Sequence, residues 1–307
     1  MQFKGTNKDM GEYNKRKRRL GDRYDGYRVR NLDPIFTLIP HIMRTRLDSQ
    51  IFFEEQIDIT GLRRFIVENR KDIPGLSMYH FLVAALVRTI SQRPRINRFV
   101  SGRKIYARNY LRVSLTVKKS MSEDGEEGNL NPDFEPTDTL RDVVEKFNTA
   151  LAEVRAEEEA VTAEGNGTDM IVRLFNHLPG FLIKFIVWTL RSLDNLGLMP
   201  KIINKVSPFH SSAFVTNVGS IGLNPVYHHL YEFGTTSVFM AIGKKEVVNT
   251  INREGETEHK HVMNIRFVLD ERICDGYYFA SAIKVFKHYV KNPELLLTPP
   301  EYIREDI

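Results

Sequence analysis

One cysteine, Cys274, is the only thiol in this 307-residue chain. It has no partner for an internal disulfide, so a disulfide-stapled secreted scaffold is excluded and a reducing compartment is the default. Long apolar runs are missing too. The longest, from Phe181 to Leu190, is interrupted by Lys184 and is too short to span a bilayer. The N-terminal stretch is polar and basic and lacks the apolar core of a secretory signal. There is no glycine-rich phosphate loop, no Cys/His cluster of metal-binding spacing and no internal repeat. These absences leave a cytoplasmic protein without a bound metal, able at most to lie on a membrane surface.

What is present suits one large core: 42% of the residues are hydrophobic and 27% charged. The net charge of +5 is unevenly spread. KRKRR, from Lys15 to Arg19, sits in a glycine-dotted stretch that reads as a flexible basic arm over residues 1–33. Such an arm either meets an anionic surface by Coulomb attraction or stays a solvated tail. Nucleic acid finds little support, since no recognition motif follows and few aromatics are interleaved.

From residue 34 to 307 the pattern is that of one α/β domain. Residues 47–59 read as extended, Thr60 opens a helix, and Ser77 caps a longer one that Pro94 ends. Leu111, Val113, Leu115 and Val117 alternate with polar residues, the mark of a half-buried strand. An acidic, glycine-bearing loop over 121–136 comes next, then an amphipathic helix carrying Leu140, Val143, Val144, Phe147 and Leu151, and a second loop at 163–168. The 170–206 segment is apolar almost all round, with Trp188 among cations such as Lys184, Arg191 and Lys205. It reads as buried in a core or a subunit contact, or as lying in a membrane interface. Strands at 213–217, 237–242 and 263–269 precede a last helix from about Tyr277 to Lys291, which stops at Asn292-Pro293. Elements of both kinds alternate without a linker, so the sheet is expected to be mixed.

The ending carries a resemblance. LDERICDGYYFASAIKVFKHYVKNPELLL is similar to the C-terminus of the catalytic domain of the dihydrolipoyl acyltransferases of 2-oxo acid dehydrogenase complexes. In that family, as in the chloramphenicol acetyltransferases, a strand ends in His-x-x-x-Asp-Gly before a helix. FLVAALVRTISQRPRIN resembles the family's helix ending at Pro-x-x-Asn, AFVTNVGSIG its strand with an Asn-x-Gly turn, and VFMAIGKK its following strand. The pieces cover roughly residues 35–300 in the right order. The resemblance implies an α/β, chloramphenicol acetyltransferase-like fold of two layers, a mixed sheet packed by helices, assembled as a homotrimer. It further implies a channel at each subunit interface, entered by coenzyme A from one side and by a small acyl acceptor from the other. On that pattern Thr216 holds the position of the hydroxyl that stabilises the oxyanion from across the interface. Asn217 and Gly219 form the turn, and Asp275 and Gly276 end the motif, the Asp paired with an Arg. No lipoyl domain fits within residues 1–33, so no covalent lipoyl group is expected.

The departure falls at the motif's histidine, where this chain has Glu271. A free glutamate, with a pKa near 4.3, is about two units weaker as a base than imidazole near 6.5. It also ends neutral rather than cationic beside the anionic intermediate, so the exchange costs catalysis without forbidding it. Three readings stay open: Glu271 acts as the base, Glu271 is held in an ion pair with Arg272 or another cation, or the base has moved to His228 or His229 in the loop after the Asn-x-Gly turn. Thr216 has its own alternative, a hydroxyl satisfied by sheet backbone. Cys274 reads as a small buried hydrophobe rather than a nucleophile. Two functions follow. One is a coenzyme A-dependent acyltransferase or its degenerate relative. The other is a non-catalytic trimeric ligand-binding or scaffold protein, attached to an anionic surface by Lys15–Arg19 and by the segment from Phe181 to Lys205.

Overall fold

The alternation at Leu111–Lys118 does build a strand, and the strands around it position the rest. The computed structural model describes residues 16–118, 127–164, 178–252 and 254–306, except the side chains of 118, 127 and 157–164. Its main sheet has seven strands. β2 (Gln50–Asp58), β10 (Thr257–Asp270), β9 (Val238–Ile251), β8 (Ala213–Asn217), β5 (Leu111–Lys118) and β6 (Glu127–Leu130) follow one another across it, and β7 (Asp133–Phe134) pairs beside β6 on β5. β8 runs parallel to both of its neighbours and every other pairing is antiparallel, so the sheet is mixed as expected. A second sheet of three short strands has the order β1 (Gly26–Arg28), β4 (Lys104–Arg108), β3 (Arg98–Ser101).

Helices pack on one face of the main sheet. α3 (Met78–Gln92) begins at Ser77, whose hydroxyl accepts from the His80 N–H, and lies between α4 (Leu140–Glu164) and the last helix, α7 (Gly276–Lys291). α2 (Thr60–Asn69) covers the outer edge. Strand periodicity sorts the side chains: Val238, Met240 and Ile242 enter the core with Ile265, Phe267 and Leu269, against Phe81, Leu86, Phe279 and Phe286. The alternate residues Phe239, Ala241, Val268 and Phe214 form a smaller cluster on the opposite face, covered by Leu230 and Tyr231. Residues 237–242 therefore read as a continuous apolar run because both faces of that strand are buried.

Three expectations change. Residues 1–15 lie outside the described residues, but the arm does not continue flexibly to residue 33. Arg23 is buried, its Nε and Nη2 2.7 Å from Asp25 and Asp194, and Tyr27 and Val29 are buried as well. A guanidinium taken out of water is costly unless paired, and these pairings fasten the segment. The acidic loop is shorter than expected, since residues 127–130 and 133–134 pair with β5 as β6 and β7, while 119–126 lie outside the described residues. The apolar segment is not buried in the chain's core. Residues 165–177 are outside the described set, and after them α5 (Gly180–Asn195) and α6 (Lys201–Val206) leave Phe181, Phe185, Trp188 and Ile202 more than half exposed. No helix among the described residues is long and apolar enough to cross a membrane.

Candidate active site

β10 ends at Asp270, and the turn that follows is clamped from several sides. The Asp270 carboxylate is fully buried and accepts from Arg272 Nε and Nη2 at 2.8 and 2.7 Å, from the Arg272 N–H at 3.1 Å and from the Ser49 hydroxyl at 3.0 Å. Arg272 Nη1 reaches the Met43 carbonyl at 3.3 Å, and the Glu271 N–H donates to the Ser49 carbonyl at 2.8 Å. A carboxylate with four donors and a bidentate guanidinium is the stronger class of buried pair, and it fixes the backbone on both sides of position 271. The Glu271 side chain is half-buried and has no hydrogen-bond or ion-pair partner among the described residues. The expected ion pair between Glu271 and Arg272 is thus not formed, because Asp270 holds that guanidinium.

Asp275 is placed differently from expectation. It pairs with no Arg among the described residues; it is the N-cap of α7, accepting from the Tyr278 N–H at 2.8 Å. Gly276 opens that helix at the surface, where an added Cβ would meet nothing within 4 Å, so the chain's own packing does not demand glycine there. Cys274 is buried in the main core, and burial pushes its thiol up, away from the thiolate a nucleophile needs.

Thr216 lies on β8 opposite Ala241 of β9, which in turn faces Arg266 of β10. It shares a sheet face with Phe214, away from the helices, and its hydroxyl has no partner among the described residues. The sheet-backbone bond considered for this hydroxyl is therefore absent. Gly219, in the tight turn at Val218–Ile221, is sterically required, since a Cβ there would stand 2.2 Å from the Gly243 carbonyl oxygen. Asn217 ends β8, half-buried, and leads into that turn. His228 stacks on Phe239 with ring centroids 4.2 Å apart and planes 1° from parallel. Its Nδ1 donates to the His229 carbonyl at 2.8 Å, which leaves Nε2 as the acceptor of the neutral ring. Burial lowers its pKa, with that hydrogen bond acting in the other direction. His229 is exposed and stacks beside it.

A model of the 2-oxoacid dehydrogenases acyltransferase catalytic domain matches residues 208–298. That stretch, the C-terminal third of the chain, is similar in sequence to this catalytic domain. The match contains every candidate just placed: Thr216, Asn217, Gly219, His228, His229, Glu271, Asp275 and Gly276. Solved structures extend the likeness to the fold. A probable dihydrolipoamide acetyltransferase from Listeria monocytogenes is 13% identical, with a TM-score of 0.52, over 87% of this chain and 95% of its own. The cubic core of a pyruvate dehydrogenase multienzyme complex has the same TM-score of 0.52 at 12% identity, over 88% and 95%. So does a dihydrolipoamide acetyltransferase from Azotobacter vinelandii, at 13% identity over 88% and 95%, studied for the roles of a serine, a histidine and an asparagine in its mechanism. No curated protein is similar to the chain in sequence.

Neither the Asp270–Arg272 clamp nor its anchor Ser49 was singled out from the sequence. The first was visible as two charges flanking Glu271; the second, 221 residues away in the chain, left no local signal. Among the described residues no cluster of side chains is arranged to hold a metal ion.

Proposed function

We propose that the protein is an acyltransferase that moves an acyl group between coenzyme A and a small acceptor, with Glu271 as the base and Thr216 as the oxyanion donor. The observation that carries this reading is the freedom of Glu271. Every polar neighbour in its turn is used by the fold, whereas its carboxylate stands half-buried and unpartnered on backbone that cannot drift. That is how a base is presented to a substrate rather than to the protein. Thr216 stands too far from Glu271 to serve it in one chain, so the complete site is read as shared between neighbouring copies in a homotrimer. Titration of the full chain with coenzyme A and acyl-coenzyme A of increasing chain length, by calorimetry, tests this. Saturable binding with a length preference supports it, and no binding at millimolar ligand overturns it.

A relocated base is the second reading, and one observation favours it: His228 shares a sheet face with Thr216 and keeps Nε2 free. Turnover that survives Glu271→Gln and is lost in His228→Gln selects it. If neither variant changes turnover because there is none, the fold is a trimeric ligand-binding scaffold.

Attachment to an anionic surface is a separate part of the proposal. Phe181, Phe185 and Trp188 recur along one exposed side of α5, with Lys184 and Arg191 close by and Lys201 and Lys205 on the next helix. An apolar stripe flanked by cations fits a lipid interface. A blue shift of Trp188 fluorescence on adding anionic vesicles supports it, and an unchanged spectrum counts against it.

A further inference from the structure

Behind the Asp270–Arg272 clamp lies a cavity of about 220 Å³ whose lining includes Arg44, Arg46, Arg103, Arg191 and Arg272. Two carboxylates, Asp194 and Glu232, are the acidic members of that lining. Asp194 is already engaged by Arg23, at 2.7 Å. Glu232 accepts the backbone N–H of Arg46 at 3.0 Å and stands 3.9 Å from Arg191, while Asp270 is taken by Arg272. The guanidinium groups of Arg44, Arg46 and Arg103 consequently have no carboxylate in contact among the described residues.

Arg46 is the informative one. It is only 5% exposed, yet its guanidinium meets only neutral carbonyls, those of Glu232 at 3.2 Å and Val100 at 3.1 Å, and its Nε has no hydrogen-bond partner. A buried cation without a paired anion is costly, and an orphaned N–H adds to that cost. Burial pushes its pKa below the usual value, with Asp270 and Glu232 acting in opposition. Arg103 adds a second kind of expense. It follows Gly102 in the β3–β4 turn with φ of 61°, a left-handed backbone that disfavours any side chain beyond glycine. Glycine would serve the turn better, so the guanidinium at the cavity's lip is kept against local preference.

We infer that this cavity binds a phosphate-bearing small anion. Several converging guanidiniums without counter-charge call for a dianion, and the planar fork of arginine matches phosphate oxygens two at a time. The volume equals that of several waters at about 30 Å³ each, room for a phosphate group with part of its ester. Neither Glu271 nor Thr216 lines the cavity, whereas Arg272, which clamps the turn around Glu271, does.

The phosphate can belong to a soluble metabolite or to a lipid headgroup, and the experiment separates them. Full-length protein in chloride buffer is titrated by calorimetry with inorganic phosphate and with glycerol phosphate. It is then mixed with vesicles carrying either phosphatidic acid or phosphatidylserine at matched charge. Arg44→Gln and Arg103→Gly are each expected to weaken binding about tenfold, the loss of one charge-assisted contact. Arg103→Gly should at the same time leave the Tm unchanged or raise it, because glycine fits the turn; affinity and stability then move in opposite directions, which a folding defect would not produce. Saturable binding of the soluble probes, weakened in both variants, supports the inference with a free ligand. Preference for phosphatidic acid vesicles, lost in both variants, supports it with a headgroup. Absence of saturable binding for every probe, or equal affinity in the variants, overturns it.

Discussion

Thr216 and Glu271 are carried by strands that run in opposite directions, and they lie at different levels of the same sheet. Thr216 is level with Arg266 across β9, whereas Asp270, the last residue before Glu271, is four residues further along β10. That separation is about 14 Å along the strands and about 10 Å across two of them. General base and oxyanion donor must both stand within hydrogen-bond reach of one reacting centre. If Glu271 and Thr216 have the proposed roles, one chain holds the two halves of two different sites.

Complementation between inactive chains follows from this geometry. Thr216→Val and Glu271→Gln are each expected to lack turnover alone. Co-expressed, they should recover it, because a neighbour can supply the missing group; random mixing leaves about one site in four intact. Activity assays on the purified mixed assembly check this, and no recovery from a mixture shown to be mixed would place both groups in one chain's site or in none.

Glu271 itself should be removable without harm to the fold. Its carboxylate has no partner, so Glu271→Gln is expected to change stability by less than about 0.5 kcal/mol while abolishing turnover. Glu271→His should increase turnover toward a thiol acceptor, since imidazole is the stronger base by about two units and becomes a cation next to the oxyanion. Steady-state kinetics and chemical denaturation of the two variants provide the comparison. A histidine variant slower than the parent would show that the site is built around a carboxylate.

Asp270→Asn is expected to do the reverse. It leaves the turn's sequence motif untouched but strips the counter-charge from Arg272, which is 3% exposed. Breaking a buried pair by removing one partner costs about 3–5 kcal/mol. Urea denaturation should show a loss of that order, several times the effect of Glu271→Gln at the adjacent position. Equal midpoints for the two variants would mean the clamp contributes nothing.

The residues that were legible in the sequence are those whose signal is local. The alternation of Leu111, Val113 and Leu115, the cap at Ser77, the stop at Pro94 and the Asp275-Gly276 ending all report on their own neighbourhoods. What stayed hidden depends on distant partners. β1, β3 and β4 are short, and the arginines they carry, Arg98 and Arg108, have no local sign of burial in the sequence. In the fold Arg98 is buried against Asp306, 208 residues away, with both oxygens at 2.6 Å. Arg23 looked like part of a solvated arm for the same reason, its partner Asp194 being 171 residues distant. Thr216 and Glu271 were named from the motif resemblance, but only the strand register shows that one chain does not bring them together.

The N-terminal segment can be divided by truncation. Removing residues 1–15 should leave the midpoint of unfolding unchanged, whereas removal through residue 30 takes away β1 and the Arg23 guanidinium, leaving Asp194 buried without its closest cation. Loss of a buried partner of this kind costs about 3–5 kcal/mol. Thermal unfolding of the two truncations decides the point; equal Tm values would mean that the segment is a dispensable tail after all.

Asp194 also gives the protein a stability that depends on acid. Burial by itself would raise its carboxyl, but the His210 ring and the Arg23 guanidinium outweigh burial and hold it at about 2, below the ordinary aspartate value of 3.8. His210 Nε2 stands 3.3 Å from Asp194 Oδ2, and Arg23 Nη2 donates to Asp194 Oδ1 at 2.7 Å. A carboxyl depressed by folding stabilises the native state above its unfolded value, and that contribution disappears as pH falls through the folded one. The window therefore runs from about pH 4 down to about pH 2. The amount at stake is about 2 kcal/mol, because each tenfold change in proton affinity corresponds to about 1.4 kcal/mol. Denaturation midpoints measured across that range should fall in the parent chain. In Asp194→Asn, less stable at neutral pH, stability should fall by about 2 kcal/mol less, because its share of the acid dependence has been removed. Parallel curves for the two proteins would assign the acid sensitivity to other carboxylates.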